Sequence, residues 1–362
     1  MNVLMLVKNS GVGGVLSCVQ SLTEGLMEKG DFVIVGTAPG EGVEKMLGQC
    51  QVEIIDFSAK SIKGILQCYK QLKKVVKSNH IEIIHAQNRI PAMYASVFCF
   101  FHPKVKYIWS NHLVPISSSF KHRLVTKYGK FAVAEGIDGR NFLIEKMRIP
   151  KDKVRIVNLG SDLELFKKTS VEEQKELKCR LGIEAHHKVI MLYGRLAPVK
   201  GHLFLLEALA KLPKERRDCL RVIFPGENVE YRQQIDAFAK QSDLTDTLIY
   251  PGYVKGQIYL SIADLMVLPS KQEGFGIVNV ESFAMGVPVI RTKTAGYMDM
   301  EDCCFGIEYG DVEGLKQYIE LLWDDPEMLE AKSKVALENV NRFSVEKMTE
   351  EYKKIYNECL NK

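Results

Sequence analysis

Short runs of β-branched and apolar residues alternate with longer amphipathic stretches along the chain. The apolar run Val3–Val7, for example, leads through several glycines into the helix-like stretch Leu16–Lys29. Strands that are buried on both faces are continuously apolar, so this alternation indicates a mostly parallel sheet with helices on both sides. The sequence therefore predicts an α/β fold of the doubly wound type.

The alternation occurs twice. The strands predicted in the first half are Val3–Val7, Phe32–Gly36, Val52–Phe57, Ile81–Ala86, Val105–Ser110, Phe131–Ala134 and Val154–Val157. Those predicted in the second half are Val189–Tyr193, Leu220–Pro225, Leu248–Tyr250, Leu265–Leu268 and Val287–Ile290. Between them lies a polar, helix-prone stretch, Leu163–Lys188, which is typical of a connection between domains. We therefore expect two domains with a cleft between the carboxyl ends of their sheets.

The predicted domain bounds follow from this division. The N-terminal domain spans residues 1–165 and the C-terminal domain spans residues 166–342. Residues 343–362 are predicted to form a helix that packs back on the N-terminal domain, because Met348, Tyr352 and Tyr356 share one face of it.

The composition is that of an ordinary globular protein. The 362 residues are 46% hydrophobic and 26% charged, which excludes disordered, coiled-coil and collagen-like chains. No apolar run approaches the roughly 18 residues of a membrane-spanning helix, and we expect the N-terminal run to be a buried strand, not a signal peptide. The nine cysteines form no CxxC pair and are odd in number. This pattern favours a reducing cytoplasm, without disulfides or a zinc site.

Charge is unevenly distributed between the two halves. Residues 1–165 carry 22 Lys and Arg against 14 Asp and Glu, a net charge of +8, whereas residues 166–362 carry 27 against 31, a net charge of −4. The surplus is concentrated in Lys60–Lys77 and Lys121–Lys130. Two interpretations are open: a solvated helix surface, or a surface that meets anionic lipid or a phosphorylated acceptor. Nucleic acid is disfavoured, because no aromatic-interleaved basic motif accompanies the charge.

The first candidate site is Gly11-Val12-Gly13-Gly14, between the first predicted strand and the first predicted helix. Glycines at such a turn let backbone amides approach a phosphate at the positive end of the helix. The spacing lacks the third glycine of a dinucleotide fingerprint, and the absence of a following Gly-Lys-Ser/Thr excludes a Walker A loop. A tight turn without a ligand is the alternative.

A second glycine turn, Gly194–Gly201, follows the first strand of the second half. It places two cations, Arg195 and Lys200, on either side of a bend, where both can turn toward one polyanion. Arginine offers planar donors to phosphate oxygens, and lysine offers a point charge. The turn therefore predicts phosphate binding, with a plain surface turn as the alternative.

The most specific signal is the segment Leu268–Ile290, which reads LPSKQEGFGIVNVESFAMGVPVI. Gly274-Phe275-Gly276 can present free backbone N–H groups where the helix from Ile277 begins, and such amides hold a diphosphate. Glu281 lies about two turns into that helix, where its carboxylate can accept hydrogen bonds from the vicinal hydroxyls of a ribose. Glu273 can reach a sugar from the helix start. The alternative is a pair of solvated helix glutamates.

Together these motifs resemble the GT-B retaining glycosyltransferases, specifically glycosyltransferase family 4. The resemblance rests on EGFGIVNVE, with its two glutamates separated by seven residues, and on GRLAPVKG. Supporting stretches are VRIVNLGSDLELF, AVAEG, DVEGLKQYIELLWDDPE and the terminal MTEEYKKIY. The resemblance covers nearly the whole chain and implies a GT-B fold, in which two Rossmann-like doubly wound domains face a central cleft.

The resemblance also implies a role for each matching residue. Arg195 and Lys200 would hold the donor diphosphate, Glu281 the nucleotide ribose, and Glu273 the hydroxyls of the transferred sugar. His112, which follows the strand Val105–Ser110, matches the active-site histidine of the family, although by itself it is typical of a structural histidine. The backbone contacts to the donor would come from Gly13, Gly14, Gly274, Phe275, Gly276 and Ile277.

Three stretches depart from the family pattern. The N-terminal loop lacks the acidic residue that many relatives carry soon after the glycine pair, and NLGSDLELF carries Leu159 and Ser161 where an Asn-Gly pair with an aliphatic residue is commoner. The loop after Ile290 reads RTKTAGYMDMEDCC, where the family usually has a Gly-Gly turn and a glutamate. Thr294 to Tyr297 of this loop neighbour the expected donor site.

The function implied by the resemblance is that of a retaining, metal-independent glycosyltransferase of cell-envelope polysaccharide biosynthesis. The donor would be a nucleotide sugar, with uridine as the common nucleotide of the family, and the acceptor a glycan or a lipid-linked glycan. No cofactor or metal ion is expected, because amides and cations would neutralise the leaving diphosphate. We expect a cytoplasmic protein that lies peripherally on the inner face of the membrane and binds no nucleic acid.

Two other functions are compatible with this fold. A nucleotide-sugar 2-epimerase of the same fold usually needs additional acid and base side chains in the cleft. A non-catalytic sugar- or lipid-headgroup-binding module should have lost one of the four charged residues expected to bind the sugar donor. All four are present: Arg195, Lys200, Glu273 and Glu281.

Overall fold

The computed structural model describes residues 1–8, 14–40, 50–57, 61–112 and 117–361. The chain divides into two compact units: Met1–Ser161 together with Phe343–Lys362, and Asp162–Arg342. The division after Ser161 lies four residues before the predicted one, and the C-terminal residues belong to the first unit. Each unit contains a parallel sheet with helices between its strands, which confirms the predicted fold class.

The first unit is built on a seven-stranded sheet. Its strands are β1 (Asn2–Val7), β2 (Phe32–Thr37), β3 (Gln51–Ile54), β4 (Ile83–Ala86), β5 (Lys106–Asn111), β6 (Ala132–Ala134) and β7 (Val154–Ile156). They are all parallel, in the order β3-β2-β1-β4-β5-β6-β7. Val3 on the central strand β1 pairs with Val33 on one side and Ile83 on the other. The central strands are buried, as their apolar sequences require.

Helices flank the sheet of the first unit. They are α1 (Gly14–Glu28), α2 (Ile62–Ser78), α3 (Arg89–Phe101), α4 (Phe120–Val125), α5 (Ile137–Glu145) and, at the C-terminal end, α14 (Val345–Leu360), with a short 3₁₀ turn at Lys151–Lys153. Helix α2 begins where the Ser61 side chain accepts the N–H of Gly64, and it buries an apolar stripe that includes Leu72 and Val76.

The C-terminal helix α14 is anchored to the first unit through buried polar groups. His85 on β4 bonds to the Tyr356 hydroxyl (2.8 Å) and to Ser110 Oγ (2.7 Å) through its two ring nitrogens. Ser110 Oγ also bonds to the Tyr352 hydroxyl at 2.9 Å. Burial holds the pKa of His85 well below its ordinary value, so the imidazole is neutral in this network. The two tyrosines therefore satisfy polar groups in the core of this unit as well as filling it.

The second unit contains a six-stranded sheet. Its strands are β8 (Lys188–Met191), β9 (Leu220–Ile223), β10 (Leu248–Ile249), β11 (Leu265–Leu268), β12 (Val289–Thr292) and β13 (Phe305–Ile307). All are parallel, in the order β10-β9-β8-β11-β12-β13. The edge strand β13 is an addition to the predicted strands.

Helices precede, connect and follow the strands of the second unit. They are α6 (Val171–Arg180), α7 (His202–Ala210), α8 (Lys214–Asp218), α9 (Val229–Gln241), α10 (Gly256–Leu260), α11 (Ile277–Ala284), α12 (Val312–Asp324) and α13 (Pro326–Asn339), with 3₁₀ turns at Pro198–Lys200, Thr245–Thr247 and Val340–Phe343. Helix α6 lies in the stretch expected to connect the domains, and Ser170 and Glu173 form a capping box at its start. Among the described helices, none is long and apolar enough to cross a membrane.

The strand order of the second unit determines where a ligand can bind. Successive strands run outward from β8 to one edge through β9 and β10, and to the other edge through β11, β12 and β13. The winding therefore reverses between β8 and β11, and ligands of open α/β sheets bind beyond the carboxyl ends of strands at such a reversal. The glycine turn Gly194–Gly201 follows β8, and the segment Gly274–Gly276 follows β11.

Candidate functional site

Two loops that are distant in sequence meet beyond β8 and β11. The N–H of Lys271, in the loop after β11, donates to the carbonyl of Val199, in the turn after β8, at 2.8 Å. Gly201 has a φ of +78°, and a Cβ there would overlap the carbonyl oxygen of Pro269. Only glycine combines this backbone conformation with so close an approach. The structure thus brings the turn that carries the two cations (Gly194–Gly201, the cation turn) next to the loop that carries Glu273 (Pro269–Gly276, the glutamate loop).

The charged residues of the two loops are partly paired. Lys200 Nζ lies 2.6 Å from Glu273 Oε1, and Ser270 Oγ donates to the same oxygen at 2.6 Å. Glu273 Oε2 makes no hydrogen bond with any residue that the structure describes. Arg195 is exposed, and within the described residues its side chain has neither a hydrogen bond nor an ion pair. One cation and one carboxylate oxygen are therefore open to a ligand.

Helix α11 begins at the glutamate loop. Gly276 caps its N-terminus with a φ of +84°, and the Gly276 carbonyl accepts the N–H (2.9 Å) and the side-chain amide (2.7 Å) of Asn279. These bonds fix the first turn, whose leading amides have no partner within the helix. The predicted residues Gly274, Phe275 and Ile277 lie in the same segment, and Phe275 is buried. The helix start therefore has the geometry of an anion site.

Glu281 is the fifth residue of α11, a little more than one turn from the helix start and not two turns as expected. Burial raises its pKa to about 7, against a hydrogen bond from the Tyr193 side chain that lowers it. The second carboxylate oxygen, Oε2, is buried and has no hydrogen-bond partner among the residues that the structure describes. A buried carboxylate oxygen without a partner is costly, and hydroxyl groups of a ligand would satisfy it.

Tyr193, which hydrogen-bonds Glu281, was not among the predicted site residues. It lies two residues after the end of β8, and burial, together with the nearby charge of Glu281, raises the pKa of its hydroxyl. A Cβ on Gly256 would overlap the Tyr193 ring, so the glycine at the start of α10 makes room for it. The available signal was its position at the end of a buried strand, immediately before the cation turn.

In the first unit the predicted catalytic residue His112 is enclosed by two polar partners. Its Nδ1 lies 2.5 Å from Glu135 Oε1, and its Nε2 lies 2.6 Å from Gln87 Oε1. The three residues follow the adjacent strands β4, β5 and β6, so their side chains converge at one end of the sheet. Burial raises the pKa of Glu135, and the interaction with His112 opposes that rise. The two hydrogen bonds, one to each ring nitrogen, fix the orientation of the imidazole.

Glu135 lies in the AVAEG stretch but was not among the predicted site residues, and neither was Gln87. A cavity of about 160 Å³ adjoins this group, and Val15, Gln87 and His112 are among its lining residues. Gly14 is the first residue of α1, next to Val15, whereas Gly13 lies outside the described residues.

Comparison with known proteins identifies the family of both units. Residues 12–165 match the family model described as Glycosyltransferase Family 4, and residues 173–338 match the one described as Glycosyl transferases group 1. Among curated proteins, an uncharacterized glycosyltransferase of Methanocaldococcus jannaschii is 30% identical over 42% of this chain and 39% of its own length. The alpha-monoglucosyldiacylglycerol synthase of Streptococcus pneumoniae is 22% identical over 88% of this chain and 77% of its own length. A Salmonella typhimurium lipopolysaccharide 1,2-N-acetylglucosaminetransferase is 32% identical over 41% of each chain.

Solved structures share the architecture along the whole chain. A glycosyltransferase from Rickettsia africae superposes with a TM-score of 0.89 at 23% identity, covering 99% of this chain and 98% of its own. The Anabaena HepE protein in complex with UDP superposes with a TM-score of 0.87 at 19% identity, covering 99% and 100%. The chain spans about two fifths of the Methanocaldococcus and Salmonella relatives and about three quarters of the pneumococcal one. The sheets, the motifs and the two family models agree, and this chain belongs to glycosyltransferase family 4, with the GT-B fold.

Proposed function

We propose that this protein is a retaining glycosyltransferase that moves a sugar from a UDP-sugar to a glycan or lipid-linked acceptor of the cell envelope. The observation that carries the proposal is the group of polar atoms beyond β8 and β11. It combines the unpaired Arg195, the Lys200–Glu273 pair, the N-terminus of α11 and the unpartnered Oε2 of Glu281. These groups match the chemistry of a nucleoside diphosphate sugar.

The diphosphate would be held without a metal ion. Arg195 and Lys200 supply two cations, and the leading amides of α11 supply donors at the positive end of a helix. Charge builds up on the leaving diphosphate in the transition state, and donors fixed in advance stabilise it at little reorganisation cost. We therefore propose metal-independent catalysis with no cofactor.

The ribose and the transferred sugar would be held by the two glutamates. Glu281 Oε2 accepts the ribose hydroxyls, while Glu273 Oε2 accepts hydroxyls of the sugar. Because Lys200 holds the other oxygen of Glu273, its carboxylate is already oriented before a donor arrives. His112, held by Glu135, would act as the active-site histidine.

The proposed reaction retains the configuration of the sugar. The bond between the anomeric carbon and the diphosphate oxygen breaks, and the acceptor oxygen bonds to the same face of that carbon. The acceptor proton passes to an oxygen of the leaving diphosphate. The nucleotide is proposed as uridine because the Anabaena neighbour was solved in complexes with UDP and with UDP-glucose.

A lipid-linked acceptor and a peripheral position on the inner face of the membrane are proposed from the surface of the first unit and from two relatives. Helix α2 exposes Lys70, Lys74 and Lys77, and its Ile62 is 80% exposed. Phe100 at the end of α3 is also 80% exposed. Cations beside exposed apolar side chains suit an anionic lipid surface. The names of the pneumococcal and Salmonella relatives refer to a glycosylated diacylglycerol and to lipopolysaccharide.

Thermal unfolding with UDP, GDP and ADP tests the proposed donor. A ligand that binds only the native state stabilises it by about 2.7 kcal/mol at a concentration of 100 Kd, so we expect UDP to raise the melting temperature by several degrees. GDP and ADP should give smaller shifts. If no nucleoside diphosphate changes the melting temperature at millimolar concentration, the proposal is wrong.

A further inference from the structure

Arg291, on β12, has a fully buried side chain, which is rare for arginine. Its guanidinium donates to the carbonyls of Phe275 (3.2 Å) and Ala295 (2.9 Å). It also donates to the hydroxyl of Thr294 at 3.3 Å, and its Nε donates to the carbonyl of Thr292 at 3.3 Å. One buried cation thus connects the glutamate loop with the loop that follows β12.

The same carbonyl is enclosed from a second direction. Gly296 has a φ of +83°, and a Cβ there would overlap the Phe275 carbonyl oxygen. The loop that departs from the family pattern therefore packs directly behind the loop that matches it. Two contacts meet at the Phe275 carbonyl oxygen: the hydrogen bond from Arg291 and the close approach of Gly296.

Fixing this carbonyl determines where the next amide points. In a trans peptide the C=O of one residue and the N–H of the following residue point in opposite directions. Because the Phe275 carbonyl faces buried Arg291, the N–H of Gly276 faces away from the core. Gly276 is the cap of α11, so this N–H joins the free amides at the positive end of that helix.

We propose that Arg291 is a positioning residue for the donor: it fixes the peptide between Phe275 and Gly276 so that the Gly276 amide is presented to the diphosphate. This inference rests on the proposed function. Arginine suits the task because its planar group donates to two carbonyls in fixed directions, which lysine cannot do. Arg291 itself lies behind the loop and needs no contact with the donor.

The test compares UDP with uridine, which keeps the ribose but lacks the diphosphate. Calorimetric titration of the full-length Arg291→Met protein should show UDP binding weakened roughly tenfold or more, since small displacements of a binding group are costly. Uridine should bind as it does to the wild type, because Glu281 and Tyr193 are unchanged. Arg291→Lys should behave like Arg291→Met, since it keeps the charge and loses the geometry.

A second variant perturbs the same carbonyl without touching Arg291. Gly296→Ala introduces a methyl group against the Phe275 carbonyl, and it should lower the ratio of UDP to uridine affinity in the same way. Gly310→Ala is the matched control: Gly310 has a φ of +91°, but a Cβ there would meet no atom within 4 Å. It carries the same backbone strain and should leave the affinity ratio unchanged.

Each outcome decides the inference. Loss of the UDP preference in Arg291→Met and Gly296→Ala, with uridine binding retained, supports the positioning role. If both ligands are weakened equally in these variants, Arg291 has a merely structural role and the positioning role is overturned. It is likewise overturned if the affinities for UDP and uridine both stay as in the wild type. A wild-type protein that binds UDP no more tightly than uridine contradicts the proposed function itself, and the inference falls with it.

Discussion

Glu281 should make nucleoside binding depend on pH. Its Oε2 is buried without a partner, and burial raises its pKa to about 7. Ribose hydroxyls donate to the ionised carboxylate, so binding favours loss of the proton. We therefore predict that the affinity for uridine rises from pH 6 to pH 8 in the wild type and stays flat in Glu281→Gln.

The magnitude follows from the pKa. With a value of about 7, about one tenth of the carboxyl groups are ionised at pH 6 and about nine tenths at pH 8. If only the ionised form binds well, the apparent affinity changes about tenfold across this range, which is about 1.4 kcal/mol. Uridine is the better probe, because it has no phosphate that titrates in this range.

The Glu281 carboxyl should also affect the stability of the protein without ligand. The pH dependence is opposite in sign: ligand binding improves as the pH rises, whereas stability falls. The folded protein keeps the Glu281 proton up to about pH 7, whereas the unfolded chain releases it near 4.5. The folded state binds more protons between these values, so stability falls as the pH rises through this window. The wild type should lose at most about 3 kcal/mol relative to Glu281→Gln.

Calorimetric titration at pH 6, 7 and 8, with both proteins in the same buffers, measures the first effect, and denaturant unfolding measures the second. Glu281→Gln should also bind uridine more weakly than the wild type at pH 8. The reasoning fails if the wild-type affinity is independent of pH, or if Glu281→Gln shows the same dependence.

Further predictions concern charge, metal and membrane. Arg195→Ala and Lys200→Ala should each weaken UDP binding and turnover severely while the circular dichroism spectrum stays the same; full activity in either variant would remove the diphosphate assignment. Glycosyl transfer should be unaffected by EDTA, and activity that is lost with EDTA and restored by Mg²⁺ or Mn²⁺ would contradict metal independence. In liposome flotation the protein should bind anionic vesicles and detach as salt rises, and Phe100→Ser combined with Lys74→Glu should weaken this binding; equal binding to neutral vesicles would refute the electrostatic part. Glu135→Gln should lower turnover because the hydrogen bond that orients the His112 ring is weakened, and unchanged turnover would argue against that pairing.

Much of the fold could be predicted because the signals are local. The apolar runs that became β1 and β4 specify buried strands, and glycine at position 276 specifies the helix start. The edge strand β13 was missed because it has three residues and a central glycine, Gly306. That glycine is required by tertiary packing, since a Cβ there would overlap the Tyr297 ring.

The candidate site residues were also chosen from local signals. Arg195, Lys200 and Glu273 lie in sequence motifs, and the adjacency of β8 and β11 brings Lys200 into contact with Glu273. Their partners could not be read from the sequence, because the pairing of side chains depends on which loops the strand order makes neighbours. Tyr193 with Glu281 and Arg291 with Phe275 are pairs of this kind. The loop after Ile290 carried a signal in its departure from the family pattern, but only the structure shows that it supports the glutamate loop.

The most direct test of the account is turnover with a panel of nucleotide sugars, followed by nucleotide analysis and by NMR of the sugar. The account predicts slow release of UDP from at least one UDP-sugar without an acceptor, faster release with a lipid-linked glycan acceptor, and a product that keeps the anomeric configuration of the donor. Arg195→Ala should abolish the release. A donor that is epimerised without release of UDP would identify an epimerase, and a donor that is bound but never consumed would identify a binding module; either result would contradict the transferase.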